Sequence, residues 1–259
     1  MMMIVKRPGN KTPMAEQDPG FHERRGPKRN LFAHVVESLG ARIVKGELGP
    51  AMPFPREADL CVEFGASRSV IREAVKALAA RGLIASQTRI GIRVLAPFNW
   101  NLLDADVLNW RYSAMPPEQF YGELFEIRRM IEPAAARLAA RRRSRREIAA
   151  IADAFARMSR ASRVDRSCIE ADLSFHRSIL VASHNALLLQ MGNLIAVGLD
   201  IAHRISAESF VVFLPLHETV YDAIARRDGE AAEAAMQHLL SETHEFMRGR
   251  IGALSTRRP

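Results

Sequence analysis

Cysteine is almost missing from this chain: Cys61 and Cys168 are the only two among 259 residues. Two cysteines in separate segments are too few for a disulfide framework or a thiolate metal cluster, so both are expected to be reduced and structural. No run of about 18 apolar residues occurs, which leaves no candidate membrane span. Residues 1–30 lack an apolar core and a small-residue cleavage site, so neither a secretion signal nor an anchor is expected and the chain reads as cytoplasmic. No segment repeats at a solenoid period, and the one biased stretch is Arg141-Arg142-Arg143-Ser144-Arg145-Arg146. That stretch could be a second nucleic-acid patch, but a solvated junction between helices is the favoured reading, because acidic residues balance the surrounding segment.

What is present is a folded, unevenly charged chain. With 48% hydrophobic residues it can bury two cores, and its net charge is +8. Residues 1–97 hold 16 Lys and Arg against 9 Asp and Glu, whereas residues 98–259 hold 21 against 20. The excess charge sits at the front, which suits a polyanion there and a different task behind.

The segment 55–94 gives that charge a shape. Pro55 suits a first helical position, and Leu60 and Phe64 lie one helical repeat apart. Gly65 can take the positive φ of a tight turn, and Ser67 is a good N-cap for the next helix. On that helix Val70, Ala74, Val75 and Leu78 share one face, while Arg68, Ser69, Arg72 and Lys76 share the other. Arg68 and Arg72 are placed to read guanine edges in a major groove; Ser67, Ser69 and Lys76 suit phosphates. After Gly82 the apolar residues Leu83, Ile84, Ile90, Ile92 and Val94 and the charged Arg89 and Arg93 predict a small hairpin, with Arg89 and Gly91 at its tip.

Between residues 97 and 115, Trp100 and Trp110 bracket a leucine cluster and two aspartates, Asp104 and Asp106, as in a linker that docks. From Pro116 onward the pattern is helical, with breaks near Ser144, Arg163, His184-Asn185, Ala207 and Asp228-Gly229, giving about six helices. Asp172 and His176, four apart, project from one helical face. His217 and His238 lie about ten residues before and after the turn at Asp228-Gly229, so in a helical hairpin both sit roughly 15 Å from it, at the same height. Three imidazoles and a carboxylate suit a divalent ion, zinc first, then nickel or manganese, with coordination positions left for a ligand. His184, His203 and His244 have no matching spacing and read as structural; Asn185 reads as a C-cap.

The segment from about residue 30 to 96, including Gly46-Glu47-Leu48-Gly49-Pro50, resembles the winged helix-turn-helix of the GntR family of bacterial transcription regulators. Members commonly carry an arginine where this chain has Ala58, and Arg56 is the candidate to replace it. Asp172, His176, His217 and His238 are similar to the metal motif of the FadR subfamily, whose C-terminal domain (FCD) is an all-helical sensor. That resemblance implies a divalent metal helping to hold a small carboxylate effector, with Arg128 directed toward the same pocket. Within the subfamily, residues 67–73 and 100–110 are similar to regulators of sugar-acid catabolism, which implies an aldonate or uronate.

The expected protein is mainly α: a basic arm (1–29), a winged helix-turn-helix (30–96), a linker (97–115), an all-α domain of about six helices (116–252) and a tail (253–259). It would be a homodimeric DNA-binding repressor of double-stranded operator DNA, with no membrane partner and no enzymatic activity. The competing expectation is a metal-dependent hydrolase or lyase with an accessory DNA domain, since such a ligand set also activates water. Against it, His217-Glu218 lacks the second histidine of an H-E-x-x-H motif.

Overall fold

The computed structural model describes residues 27–87, 91–160, 166–205 and 209–255. The first helix, α1 (Pro27–Val44), buries Val35, Leu39 and Ile43 at four-residue spacing. It takes in residues 27–29, which were expected to belong to the arm, and residues 1–26 lie outside the described residues. Against α1 pack α2 (Glu57–Phe64) and α3 (Arg68–Ala80). Pro55 stands before the N-cap Arg56 and not at the first helical position. Gly65 closes α2 in the left-handed region, at φ 59°, and Ser67 caps α3 from extended backbone. The packing face of α3 is rotated slightly from the predicted one: Ile71, Ala74 and Leu78 are buried, while Val70 and Val75 lie half-buried at its edges.

β1 (Ile84–Gln87) pairs antiparallel with β2 (Gly91–Val94), Ile84 opposite Val94, forming the predicted wing. Arg89 lies outside the described residues. Gly82, at φ +73°, meets the linker so closely that a Cβ there would stand 2.2 Å from the Asn99 carbonyl oxygen. The linker folds as well as docks. Asp104 caps α4 (Ala105–Ala114) by accepting from the N–H groups of Asp106 and Val107, and Arg81 donates to both Asp104 (3.2 Å) and Asp106 (2.6 Å). Val107 and Trp110 complete the core of the winged domain, whereas Leu108, on the same helix, belongs to the core of the second domain. Trp110 packs on Gly40, where a Cβ would meet its ring at 2.4 Å.

The second domain comprises α5 (Pro117–Arg142), α6 (Arg145–Arg160), α7 (Arg166–Ala182), α8 (Ala186–Gln190), α9 (Gly192–Ile205), α10 (Ser209–Ala225) and α11 (Gly229–Ser255). α5 and α11 share the most extensive packing. The predicted breaks near Ser144, His184-Asn185 and Asp228-Gly229 fall at helix boundaries, and those near Arg163 and Ala207 lie outside the described residues. One further interruption, at Met191, separates the five-residue α8 from α9. Asn185 is not a C-cap: its side chain accepts from the N–H groups of Leu187 and Leu188, so it starts α8. α11 runs into the expected tail as far as Ser255.

The arginine run has structural work. Ser144 and Glu147 form a reciprocal capping box at the start of α6, with hydrogen bonds of 2.7 and 3.2 Å. Arg142 donates to the Ser183 carbonyl, and Arg143 to those of Ile224 and Ala225, so both guanidiniums serve carbonyls at the C-terminal ends of α7 and α10.

Candidate functional site

The basic face of α3 is exposed. Ser67, Arg68, Ser69, Arg72 and Lys76 all face solvent at or after the helix N-terminus, and Arg56 does so beside them at the start of α2. Two of these side chains are already engaged with exposed carboxylates: Arg72 Nε donates to Glu57 at 2.9 Å, and Lys76 Nζ to Glu73 at 2.7 Å. Gly91 opens β2 at φ +93°, with open space where a Cβ would be. Glycine there lets the wing turn without strain.

The second site is buried. α7 supplies Asp172 and His176 one turn apart, and α10 supplies His217; all three are buried. Asp172 Oδ1 lies 3.4 Å from His176 Nε2 and 3.2 Å from His217 Nε2. One donor atom from each residue falls within 4.8 Å of the others, close enough for one ion to touch all three. Both imidazoles are held from behind. His217 Nδ1 meets the Phe213 carbonyl at 2.8 Å and can only donate to it, so in the neutral ring the lone pair belongs to Nε2, on the cavity side. His176 Nδ1 hydrogen-bonds Glu132 Oε2, the carboxylate-backed arrangement that fixes a metal-binding imidazole.

His238 is not part of this group. It lies on the outer face of α11, its side chain 61% exposed, with Nδ1 3.9 Å from Glu242. The predicted height along the α10–α11 hairpin does not decide the rotation of α11. That rotation turns Met236, Leu239 and Leu240 inward and His238 outward.

Glu132 was not singled out in the sequence, yet it joins the Asp172, His176 and His217 triad to Arg128. Arg128 Nε donates to Glu132 Oε1 at 2.5 Å, and both residues are 2% exposed. Burial, the strongest single influence on Glu132, raises its pKa, but the Arg128 guanidinium and His176 outweigh it and bring the carboxyl to about 2. Burial likewise opposes charge on His176, and Glu132 and Asp172 overcome it, pushing the imidazole up to about 9. A metal would have to displace that proton. The only signal in the sequence was the i, i+4 spacing of Arg128 and Glu132.

Arg128, Asp172, His176 and His217 wall a cavity of about 30 Å³ with Leu199, Phe213 and Leu240. That is room for an ion and a water or two. The donors fit a divalent metal of the zinc, nickel or manganese type: two imidazole nitrogens, His176 after loss of its proton, and one carboxylate oxygen, with no thiolate. Arg128 Nη1, buried in the same place, has no hydrogen-bond partner among the described residues. A guanidinium N–H left unpaired beside a prospective cation points to an anionic ligand shared by both. Proton transfer is less well served. Glu132 is fixed at both oxygens and far too acidic for a general base, and Glu218 is exposed. A larger apolar groove of about 350 Å³, bordered by Leu103, Phe120 and Ile127, has as its charged groups Arg111 and Glu123, already paired at 3.0 Å.

Comparison with known proteins agrees with this division. The pattern described as bacterial regulatory proteins, gntR family, matches residues 31–94, and the FCD domain matches residues 123–242. The galactonate operon transcriptional repressor of Escherichia coli K12 is 35% identical over 84% of this chain and 97% of its own length. The HTH-type regulator YieP of the same strain is 34% identical over 82% and 94%. The Glc operon transcriptional activator of that strain is 29% identical over 82% and 87%. Among solved structures, Lar of Listeria monocytogenes shares the fold with a TM-score of 0.59 at 20% identity, covering 86% of this chain and 97% of that one.

Proposed function

The chain belongs to the GntR family of bacterial regulatory proteins, with an FCD domain behind the winged one, and from that premise we propose that it is a homodimeric, metal-dependent repressor released by a sugar acid. As a member of the family it is a transcription regulator. The finer assignment rests on one observation: a buried Asp172, His176 and His217 triad faces a cavity that also holds Arg128, whose Nη1 has no partner among the described residues. In this reading the triad holds a divalent ion, zinc first, and the ion supplies a Lewis-acidic site for the effector oxygens. Arg128 holds the carboxylate, and Glu132 keeps both Arg128 and His176 aimed.

Two copies related by a twofold axis would place two α3 helices on the half-sites of a pseudo-palindromic operator. Arg68 and Arg72 would read base edges; Ser67, Ser69, Lys76, Arg56 and the wing residues Arg89 and Gly91 would hold the backbone. The carboxylate Glu57 releases Arg72 to DNA. Effector binding alters operator affinity only if it favours one arrangement of the two domains. The shared helix α4, with side chains in both cores, is the element through which a change in one would reach the other. A small sensor cavity fits that requirement, because a sugar acid needs more space than 30 Å³ and must move the surrounding helices to enter. Repression is favoured by likeness to the galactonate operon repressor, and the site of action by the nature of the partner: chromosomal DNA in the cytoplasm.

Fluorescence anisotropy on DNA from upstream of the gene, titrated with aldonic, uronic and dicarboxylic acids, tests this reading. Tight, salt-dependent binding reversed by one acid is expected. Binding that no acid alters, with zinc present, would remove the sensor assignment and leave the DNA reader.

A further inference from the structure

The α5–α11 seam beside the sensor cavity contains two more polar atoms that should not be left as they are. Tyr121 Oη is buried without a partner among the described residues, and so is His244 Nδ1. Burial pushes the Tyr121 phenol above its ordinary pKa, so it remains a neutral hydroxyl able to donate and accept. The two groups lie together: their rings are parallel with centroids 6.2 Å apart, and both lie against Phe125. Arg128 covers that same phenyl ring, its Cζ 5.2 Å from the centroid, and its Nη1 is the third unpartnered atom. Along α5, Tyr121, Phe125, Arg128 and Glu132 follow one another at three- and four-residue spacing, so the polar atoms continue the line that begins at the metal triad.

Each unpaired buried polar atom destabilises a fold, and most native proteins avoid them. Three around one phenyl ring, next to a cavity too small for the ligand class already inferred, mark the direction in which that cavity can grow. Thr243 lines the cavity and His244 follows it directly on α11, so parting α11 from α5 would extend the cavity toward Tyr121 and His244.

We propose that Tyr121 Oη and His244 Nδ1 form a second subsite, adjoining Arg128 and the metal triad, that recognises the hydroxyl-bearing chain of a polyhydroxy acid. This rests on the reading of the triad and Arg128 as a carboxylate site, and it makes the effector an acid longer than a two- or three-carbon hydroxy acid. The carboxylate end lies at the triad, and the distal hydroxyls supply the partners that Tyr121 and His244 lack. A site built around such groups rejects an analogue without them, because its polar atoms stay unpaired.

Calorimetric titration of the full-length, zinc-loaded protein with D-galactonate and D-gluconate, against lactate and glycolate, tests the subsite with Tyr121→Phe and His244→Phe. One aldonate is expected to bind the wild type more tightly than either short acid. Each variant should bind it about tenfold more weakly, the loss of one hydrogen bond, while its preference over lactate shrinks by the same factor. Thermal melting separates recognition from structure: removing an unpaired hydroxyl should leave the Tyr121→Phe midpoint unchanged or raised, whereas a hydroxyl serving the fold would lower it. Variants that bind the aldonate like the wild type would overturn the subsite while leaving the carboxylate reading intact, as would a wild type that prefers lactate. If no acid binds the wild type at all, both readings fail together.

Discussion

Two arginine–glutamate pairs, one in each domain, share the same chemistry in opposite surroundings. Arg72 and Glu57 meet at 2.9 Å on the basic face of α3 with side chains 66% and 35% exposed, while Arg128 and Glu132 meet at 2.5 Å with 2% of each exposed. Water competes for the first pair at every moment, so Arg72 can exchange Glu57 for a base edge or a phosphate at little cost. The second pair has no such exchange. Once buried, each charge depends on the other, and Glu132 in turn fixes the His176 imidazole. Exposure makes a charge available to a partner from outside; burial turns it into part of the frame that positions others.

The largest expected effect comes from cutting the buried pair. Glu132→Ala should destabilise the protein by about 3–5 kcal/mol, because it strands the Arg128 guanidinium in the core. The milder Glu132→Gln should lower zinc affinity by about 10–100-fold, through the lost support of His176. Glu57→Gln, measured by denaturant unfolding beside them, should leave the midpoint near that of the wild type. Equal losses from the Glu57 and Glu132 variants would erase the distinction between the two pairs.

A smaller effect sharpens the comparison on the reading face. Arg68→Ala should weaken operator binding by about 1–3 kcal/mol and relax preference at one base pair. Lys76→Met should weaken all sequences alike and reduce the slope of log affinity against log salt by about one. Arg68→Ala behaving like Lys76→Met, with sequence preference untouched, would make α3 a backbone binder and assign base reading elsewhere.

How far each region can be read from sequence follows from the same contrast. In the winged domain the turn residues and caps act locally, so Gly65 and Ser67 stand where the pattern puts them, and α3 shows its basic side to solvent as periodicity requires. Pro55 misleads by two positions and Asn185 by its role, since proline suits the residues just before a helix as well as its first turn, and asparagine can cap either end. In the sensor domain the triad pair Asp172 and His176 is legible because both lie on one helix. Glu132 is not, because its role depends on α5 crossing α7, a tertiary fact 44 residues away in sequence.

His238 shows the limit most clearly and gives the smallest prediction. Counting residues from the turn at Asp228-Gly229 places His217 and His238 at equal heights, and α10 and α11 do pack as a hairpin. Height is one of two coordinates on a helix; the other is rotation. The inward residues of α11 include Ala232, Met236, Leu239, Leu240, Met247 and Ile251, and a step of about 100° per residue carries position 238 to the opposite side while bringing 243 and, at its edge, 244 toward the inward line. That apolar stripe was in the sequence, and it would have favoured His244 over His238. His238→Ala should therefore leave zinc content and effector affinity unchanged, whereas His217→Ala should lose the metal. Equal loss of zinc from both variants, by elemental analysis of the purified proteins, would mean that α11 rotates when the site fills and that His238 is a fourth ligand after all.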